Sequence, residues 1–223
     1  MRKKGDRFPS SPAPDLSLES VLWSNNLQYI AGVDEAGRGA WAGPVVAAAV
    51  ILPCETHVEI LLDGVRDSKQ LSPKKRCLLA PIIKQYALAW GVGFADNREI
   101  DLYGIIAATR FAMMRALEVL SIQPEHILID ALFLPDVSTG QTSLIKGDQR
   151  SLSIAAASIL AKKSRDDWMI KVDKEYPAYR FDRHKGYGTR LHQERLRAEG
   201  VCPLHRKTYQ PILEINKKKE CED

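Results

Sequence analysis

Four acidic residues stand directly after apolar runs in this sequence and could act together: Asp34, Glu35, Asp130 and Asp148. Sheet proteins place functional groups at the ends of strands, where these residues are expected to lie. Carboxylates that converge repel one another, and a hard divalent cation such as Mg2+ or Mn2+ keeps them ionised together. A metal centre of this kind suits phosphodiester hydrolysis, because one ion can activate water while another stabilises the departing oxygen.

Each of these acids has a simpler explanation when it is taken alone. Asp34 and Glu35 precede Gly37 and could form a solvated turn, and a single Asp more often caps a helix or forms a turn than binds a metal. The pleat of a strand would also point Asp34 and Glu35 to opposite faces unless the strand bends there. The metal-site interpretation therefore requires the strands before Asp34, Asp130 and Asp148 to be neighbours, which the sequence leaves open.

The elements that would position these acids follow from the hydrophobic pattern. Short apolar runs predict strands at residues 29–33, 44–52, 87–95, 127–129 and 143–146. Helical periodicity predicts helices at residues 16–25, 98–120, 153–171 and 190–199. The second of these helices carries a stripe assigned to the core: Leu102, Ile106, Met113, Leu117 and Leu120. Strands and helices in this order predict an α/β domain with a mixed sheet and helices packed on it.

Composition sets limits on the class of protein. The 223 residues are 45% hydrophobic and 27% charged, enough for a full globular core. Lys and Arg outnumber Asp and Glu by 32 to 28, which permits a nucleic-acid partner without requiring one. The 4 cysteines lie far apart without zinc-site spacing, so reduced thiols are expected. The sequence has no signal-like segment and no run of roughly 18 apolar residues, so we expect a cytoplasmic protein without membrane contact.

Several motifs follow one another in a fixed order along the chain. They are GVDEAGRG at 32–39, DSK at 67–69, LID at 128–130, KGD at 146–148, AAASILAK at 155–162 with Arg165 and Asp166, and KGYGT at 185–189. Any one of them would be a weak signal, but together they are specific, and in this order they resemble bacterial ribonuclease HII over residues 28–212.

This resemblance implies a ribonuclease H-like fold, a mixed β-sheet flanked by helices with a C-terminal helical extension. It implies a metal site formed by Asp34, Glu35, Asp130 and Asp148, with Mg2+ or Mn2+ as the cofactor. The activity it implies is an endonuclease that cuts the RNA strand of RNA/DNA hybrids. The same activity would cut 5′ of single ribonucleotides embedded in duplex DNA and leave 3′-hydroxyl and 5′-phosphate ends.

The resemblance also suggests how the chain is divided. Residues 1–26 would form an N-terminal extension, with a mobile lead to about residue 15 followed by a short helix. Residues 27–180 would form the catalytic domain, and residues 181–223 a C-terminal helical region that helps to bind substrate. Nothing in the sequence indicates an obligate partner chain, so a monomer is expected.

Recognition of the ribose would fall to a glycine loop. Gly37, Arg38 and Gly39 match the family loop that binds the 2′-hydroxyl and the adjacent phosphate mainly through backbone groups. Glycine permits such close approach, and the 2′-hydroxyl is the group that separates RNA from DNA. The following Ala40-Trp41 departs from the family pattern, which usually has a proline first, and predicts a looser loop.

Other substrate contacts are expected from a tyrosine and two lysines. Tyr187 matches the family tyrosine that packs on the sugar at the RNA to DNA junction, although a loop tyrosine could also be an ordinary packing anchor. Lys69 and Lys146 are candidate phosphate contacts, with a solvated lysine as the simpler alternative for each. Asp166 lies well beyond Asp148 along the chain and is expected to support the structure rather than bind metal.

Two other functions are compatible with parts of the sequence. The turn at residues 32–37 is similar to the first phosphate loop of actin-like sugar kinases, but those chains carry two such halves and this one has a single copy. A non-catalytic module that binds RNA/DNA hybrids is the second alternative. Such a module would be expected to have lost at least one of the four acids, and all are present. Cleavage of a hybrid with and without Mg2+ would separate these possibilities.

Overall fold

A five-stranded mixed sheet forms the centre of the molecule. The structure, a computed structural model, describes residues 13–55 and 57–220. Its strands are β1 (Ile30–Ala36), β2 (Val45–Ile51), β3 (Ala89–Ala95), β4 (His126–Asp130) and β5 (Gly140–Leu144), in the spatial order β3-β2-β1-β4-β5. The β1–β2 and β2–β3 pairs are antiparallel, whereas β4 runs parallel to both β1 and β5. The predicted mixed sheet is confirmed.

Helices cover both faces of this sheet. They are α1 (Ser17–Ser24), α2 (Val58–Leu61), α3 (Pro73–Tyr86), α4 (Asn97–Glu118), α5 (Leu152–Asp173), α6 (Phe181–His184), α7 (Arg190–Glu199) and α8 (Gln210–Glu220). A capping box at Asp96 and Glu99 starts α4, and the Ser151 side chain starts α5 by accepting a hydrogen bond from the Ile154 N–H. No helix in the described part of the chain is long and apolar enough to cross a membrane.

The two long helices pack on opposite faces of the sheet. Met113 and Leu117 of α4 join the apolar cluster that includes Val33 and Ile129, and α5 joins the cluster on the other face. The alanine-rich first half of α5 lets it lie close to β1. A Cβ atom on Gly32 would stand 2.2 Å from the Ser153 carbonyl carbon, so glycine is required for this approach.

The short helix α1 is fastened to the start of α5. Glu19 is fully buried, and its Oε1 accepts hydrogen bonds from the Ser151 hydroxyl at 2.6 Å, the Ser153 hydroxyl at 2.6 Å and the Ser153 N–H at 3.0 Å. A carboxylate is favoured at a helix N-terminus, where backbone N–H groups lack partners. The predicted mobile lead falls mostly on residues 1–12, which lie outside the described range.

The structure corrects several details of the sequence prediction. Leu102 and Ile106 are 72% and 51% exposed, so their assignment to the core is wrong, whereas Met113, Leu117 and Leu120 are buried as predicted. The cause is Gly104, which lies between Leu102 and Ile106 and whose φ of 80° and ψ of 160° interrupt α4, so the helical spacing does not continue through this point.

Some element boundaries also differ, and four helices of the structure were not predicted: α2, α3, α6 and α8. Strand β5 spans Gly140–Leu144 instead of residues 143–146. Helix α3 was not predicted because its polar start and the internal Pro81 hide the helical pattern. Helix α8 occupies the segment predicted only as a polar, lysine-rich end.

Candidate active site

The strands that carry the acids are neighbours in the sheet, which is the condition that the sequence left open. Val33 of β1 pairs with Ile129 of β4 in parallel. Asp34 follows Val33 and Asp130 follows Ile129, so the two acids lie at the same end of these neighbouring strands. Strand β5 lies on the other side of β4 and leads to Asp148. The Gly147 N–H donates to Asp130 Oδ1 at 2.7 Å, which ties the turn bearing Asp148 to the end of β4.

The charges of these acids act on one another. Burial raises the pKa of Asp34 well above its usual value, and the carboxylates of Glu35 and Asp130 raise it further. Burial also raises the pKa of Glu35, against the opposing effect of Arg38. For Asp148, burial together with nearby carboxylates raises the pKa to about 6. We call Asp34, Glu35, Asp130 and Asp148 the carboxylate cluster.

Asp67 is a further acid at this place that the sequence analysis did not single out. Its carboxyl lies within hydrogen-bonding reach of Asp148 and contributes to the raised pKa of that residue. It also caps a short 3-10 turn by accepting from the Lys69 N–H at 2.8 Å. The only signal in the sequence was the Asp-Ser-Lys motif, from which Lys69 alone was chosen.

Lys69 is brought to the carboxylate cluster, whereas no such contact is found for Lys146. Partial burial lowers the pKa of the Lys69 ammonium, but the carboxylates of Asp34, Asp67 and Asp148 reverse this and leave the pKa raised. Lys146 is exposed and occupies a left-handed backbone conformation with φ 55° just before Asp148. Lys69 can therefore balance the cluster's charge, while Lys146 faces solvent.

The donor set fits a hard divalent cation. Carboxylate oxygens are the ligands that Mg2+ and Mn2+ prefer. Glu35 Oε2 is buried and has no hydrogen-bond partner in the described part of the chain, which is costly unless a cation binds there. Within residues 13–55 and 57–220, no group of three His, Cys, Asp or Glu side chains is arranged closely enough to hold a metal ion without rearrangement.

The glycine loop follows the carboxylate cluster directly on the chain. Gly37 has φ 98°, and a Cβ atom there would stand 2.0 Å from Nε of Arg165, so only glycine fits. A Cβ atom on Gly39 would meet no protein atom within 4 Å. The Arg38 guanidinium reaches back to Glu35, with Nη1 at 3.3 Å from Oε1. The loop is thus fixed on its inner side and open on its outer side.

Tyr187 lies beside this loop although it is distant in sequence. An isolated β-bridge joins Ala40 to Tyr187. The Tyr187 ring lies 5.0 Å from Lys162 Nζ and 5.1 Å from the Arg165 guanidinium carbon, both measured to the ring centroid. These cations can hold the ring in place by cation–π attraction. The structure therefore brings Tyr187 together with the Gly37–Gly39 loop.

Trp41 tightens the loop, contrary to the looser loop predicted from the missing proline. The backbone N–H of Trp41 donates to the Gly186 carbonyl at 2.8 Å, and the Trp41 carbonyl accepts from the backbone N–H of Arg206 at 2.8 Å. Its ring lies against Gly188, where a Cβ atom would stand 2.2 Å from Cζ2 of the indole. Backbone hydrogen bonds and the indole ring thus replace the rigidity that a proline would supply.

Two buried arginines hold the loops around the site, and we call them the guanidinium pair. Arg165 is fully buried and donates to the carbonyls of Pro44 at 2.9 Å, Lys185 at 2.9 Å and Ala42 at 3.1 Å. Arg206 is also fully buried and donates to other carbonyls of the same region. Burial lowers the pKa of both guanidinium groups. From the sequence, Arg165 is named only as part of a family motif, and neither arginine is predicted to be a site residue.

Asp166 and three histidines have packing roles. Asp166 pairs with Arg76 at 3.3 Å and Lys162 at 2.7 Å, which joins α3 to α5 and agrees with the structural role expected for it. The histidines are buried near the guanidinium pair: His184, His192 and His205. His192 Nδ1 lies 3.0 Å from the Tyr187 carbonyl, and its Nε2 lies 3.1 Å from Nε2 of His205.

The acids lie at the ends of adjacent strands of a mixed sheet, beside a glycine loop that is held by two buried arginines. This fold and site define a nuclease of the ribonuclease H-like class. The model of one family, described as Ribonuclease HII, matches residues 31–212. The chain therefore belongs to the ribonuclease HII family and is a ribonuclease H, an endonuclease that hydrolyses RNA paired with DNA. Membership of this family excludes the sugar-kinase alternative.

Similar proteins support this placement along nearly the whole chain. Ribonuclease HII of Chloroflexus aurantiacus is 50% identical over 202 residues, which are 90% of this chain and 95% of that protein. Ribonuclease HII of Dehalococcoides mccartyi is 46% identical over 205 residues, 92% of this chain and 97% of that protein.

Solved structures agree with the fold. The crystal structure of ribonuclease H2 from Pyrococcus horikoshii OT3 matches with a TM-score of 0.71 at 28% identity, over 86% of this chain and 99% of that chain. Bst-RNase HIII, solved in complex with Mn2+, matches with a TM-score of 0.66 at 20% identity, over 99% of this chain and 77% of that chain.

Proposed function

We propose that this endonuclease cuts the RNA strand of RNA/DNA hybrids and also cuts 5′ of single ribonucleotides embedded in duplex DNA. The products would carry 3′-hydroxyl and 5′-phosphate ends. One observation carries the proposal: the Gly37–Gly39 loop begins directly after β1, two residues after Glu35, and the residue that follows the loop, Ala40, forms a β-bridge with Tyr187. A group able to recognise a 2′-hydroxyl therefore lies next to the acids that would act on the neighbouring phosphate.

Asp34, Glu35, Asp130 and Asp148 are the residues that we propose hold Mg2+ or Mn2+. The raised pKa values of Asp34, Glu35 and Asp148 and the unpartnered Glu35 Oε2 support this assignment, as does the relative that was solved with Mn2+. When bound, the cation would supply an activated water and stabilise negative charge on the phosphate and the leaving oxygen. The metal also explains how an acidic site can accept an anionic substrate at all.

The remaining residues bind and orient the substrate in this proposal. Gly37, Arg38 and Gly39 contact the ribose through backbone groups, and Tyr187 packs on the sugar at the junction with DNA. Lys69 contributes positive charge beside the cluster, where a phosphate would otherwise meet only acids. Lys146 is exposed and is proposed as a contact to a more distant phosphate.

A duplex with one ribonucleotide in an otherwise DNA strand tests the proposal most directly. We expect a single cut on the 5′ side of the ribonucleotide in Mg2+ or Mn2+, and none after metal removal. The matched control is the same duplex with a deoxyribonucleotide at that position, which should stay intact. Cutting at any other bond, or cleavage of the control duplex, would contradict the proposed substrate.

A non-catalytic hybrid-binding module would behave differently in the same assay. It would bind the duplex without cleaving it in either metal. All four acids are present and buried or partly buried at one edge of the sheet, which favours the nuclease.

The setting in which the enzyme works is also a proposal. Its substrates arise where DNA is copied, so the cytoplasm of a bacterial cell is the proposed location, and the protein is proposed to act there as a monomer. The division into residues 1–26, 27–180 and 181–223 remains a prediction. Helix α1 nevertheless packs Leu18 and Leu22 against Ile30 and Leu128 of the sheet.

A further inference from the structure

Arg206 is a buried cation whose hydrogen bonds converge on the glycine loop. Its Nη2 donates to the Gly37 carbonyl at 2.7 Å, its Nη1 to the Arg38 carbonyl at 2.7 Å, and its Nε to the Gly43 carbonyl at 3.0 Å. The Tyr209 hydroxyl also donates to the Arg38 carbonyl, at 2.7 Å, and accepts from Arg206 Nη1 at 3.0 Å. Arg206 and Tyr209 therefore hold the same peptide groups from the inner side.

Packing alone does not account for a charge at this position. Arg206 forms no ion pair with an acid in the described part of the chain. A buried charge that is not paired with an opposite charge is costly, so it must be compensated by hydrogen bonds. Burial lowers the pKa of Arg206 only to about 10, so the group remains charged near neutral pH. Loop carbonyls, rather than a carboxylate, compensate this charge.

The orientation of these carbonyls decides where the N–H groups of the loop point. In a trans peptide, the carbonyl of one residue and the N–H of the next point in opposite directions. No peptide bond in the described chain is cis. Because Arg206 draws the carbonyls of Gly37 and Arg38 inward, the N–H groups of Arg38 and Gly39 are directed away from the protein core.

These two N–H groups are available to a ligand. Among the described residues, neither the Arg38 N–H nor the Gly39 N–H donates to a protein acceptor. The space beside Gly39 is open, because a Cβ atom there would meet no protein atom within 4 Å. The φ of Gly39 does not lie in the left-handed region, so the fold itself does not require glycine there. A ligand that approaches the backbone closely explains all of these features.

We propose that Arg206 is the positioning residue that sets selectivity for ribose over deoxyribose, by holding the Gly37 and Arg38 carbonyls inward. This inference rests on the proposed function, in which the Gly37–Gly39 loop binds the 2′-hydroxyl. Arg206 acts through the two peptide groups and does not touch the substrate. It strengthens them as donors, because a hydrogen bond to a carbonyl polarises the N–H of the same peptide group.

The fork of the guanidinium matters in this role as well as its charge. A planar guanidinium can bond several carbonyls at fixed angles, whereas a lysine ammonium is a point charge on a flexible stem. Arg206→Lys therefore keeps the charge and loses the geometry. Tyr209→Phe removes one bond to the Arg38 carbonyl and leaves Arg206 in place.

The test compares the affinity for a duplex containing one ribonucleotide with that for the same all-DNA duplex. Binding is measured by fluorescence anisotropy with Ca2+ in place of Mg2+. For Arg206→Lys we expect the ratio of the two affinities to fall at least tenfold, through weaker binding of the ribonucleotide duplex alone. In Mg2+, KM for that duplex should rise more than kcat falls, because the carboxylate cluster is unchanged. Tyr209→Phe should show a smaller loss of the same kind.

Met113→Ala is the matched control for lost stability. Met113, on α4, is fully buried in the apolar core and is not among the side chains that hold the loop carbonyls, so this variant loses core packing and should keep the wild-type ratio. If the wild type itself shows no preference for the ribonucleotide duplex, the proposed function fails. If the wild type has the preference and both Arg206→Lys and Tyr209→Phe retain it, the inference is overturned. Should Arg206→Lys fail to fold, Tyr209→Phe decides.

Discussion

The carboxylate cluster and the guanidinium pair both adjoin the glycine loop, and they bury charge in opposite ways. The acids crowd one another, and Glu35 Oε2 has no hydrogen-bond partner in the described chain. Arg165 and Arg206 are just as deeply buried, but carbonyl oxygens accept from all of their guanidinium nitrogens. The carboxylate cluster needs a cation from solution, whereas the guanidinium pair finds all of its hydrogen-bond partners within the protein.

In the proposed function, this difference separates the residues that act on the phosphate from those that select the ribose. The repulsion between the buried acids is relieved when a cation and a substrate bind, so the carboxylate cluster gains its stabilisation only on binding. The guanidinium pair is already satisfied, so it keeps the loop in one shape before the substrate arrives. A site of this kind spends little free energy on ordering its recognition loop during binding.

Replacing Asp34 with Asn should break the first half of the comparison and have the largest effect. We expect kcat to fall by about 1000-fold or more, equivalent to about 4 kcal/mol, while hybrid binding is spared. Without metal the variant should melt at a higher temperature than the wild type, because one buried, repelling acid is gone. Mn2+ should raise the melting temperature of the wild type and much less that of the variant.

The exposed Asp136, on the loop after β4, provides the control for Asp34. Asp136→Asn should cleave and melt as the wild type does, with the same response to Mn2+. Normal cleavage by the Asp34→Asn variant would show that the metal site has been assigned wrongly.

Replacing Arg165 with Met removes one member of the guanidinium pair and should destabilise the fold. The carbonyls of Ala42, Pro44 and Lys185 would lose their donor, so we expect unfolding to become easier by about 3 kcal/mol. Denaturant titration would measure this loss, which should be the same with and without Mn2+. Arg190→Met, at a side chain that is 93% exposed, should have no measurable effect. A loss that Mn2+ fully restored would mean that Arg165 belongs energetically to the metal site.

The buried histidines sharpen the comparison, because they are held neutral next to the guanidinium pair. Burial lowers the pKa of His192 to about 3 and that of His205 to about 4, and the groups that face them are His184, Tyr179 and Cys202. In the unfolded chain a histidine takes up its proton near pH 6.5, at about its ordinary pKa. Their contribution to stability is therefore complete above that pH and is lost as the pH falls toward 4.

For each of these two histidines, the expected loss in the free energy of unfolding between pH 7 and pH 5 is on the order of 2 kcal/mol. The raised pKa values of Asp34 and Asp148 act in the opposite direction, so the measurement is the difference between wild type and His205→Gln at each pH. We expect the variant to lose less stability than the wild type as the pH falls. Parallel curves would show that His205 is protonated as easily in the folded chain as in the unfolded one.

Replacing Tyr187 with Ala should have the smallest effect, on recognition alone. Loss of a packed aromatic ring should weaken the preference for a single ribonucleotide by about tenfold. Competition between single-ribonucleotide and all-RNA/DNA hybrid substrates would measure it. Tyr187→Phe keeps the ring and should retain most of the preference. An unchanged preference in Tyr187→Ala would assign the ring to packing against Lys162 and Arg165.

The local features of the site could be predicted from sequence, since they lie in continuous motifs. Apolar runs that lead to Asp34 and Asp130 marked β1 and β4 together with their acids, whereas the run before Asp148 only overlaps the end of β5. The adjacency of β1, β4 and β5 could not be derived from the pattern, because pairing between distant strands leaves no local periodicity. The exposure of Leu102 was missed because a single glycine, Gly104, interrupts a stripe that otherwise has helical spacing.

The guanidinium pair was hidden for a related reason. A buried arginine has no pattern of its own, and in an average sequence an arginine is expected at the surface. Its partners here are backbone carbonyls of any residue type, and Arg206 is 169 residues from Gly37 along the chain. Only coordinates reveal such a contact.

The order of these residues along the chain has a consequence for translation. The acids are complete by residue 148, whereas Arg165, Tyr187 and Arg206 leave the ribosome later. A chain released early, before residue 206, would carry every proposed metal ligand and lack Arg206, which holds the carbonyls of the glycine loop. If Arg206 sets the selectivity for ribose as proposed, premature termination would remove that residue before it removed any acid.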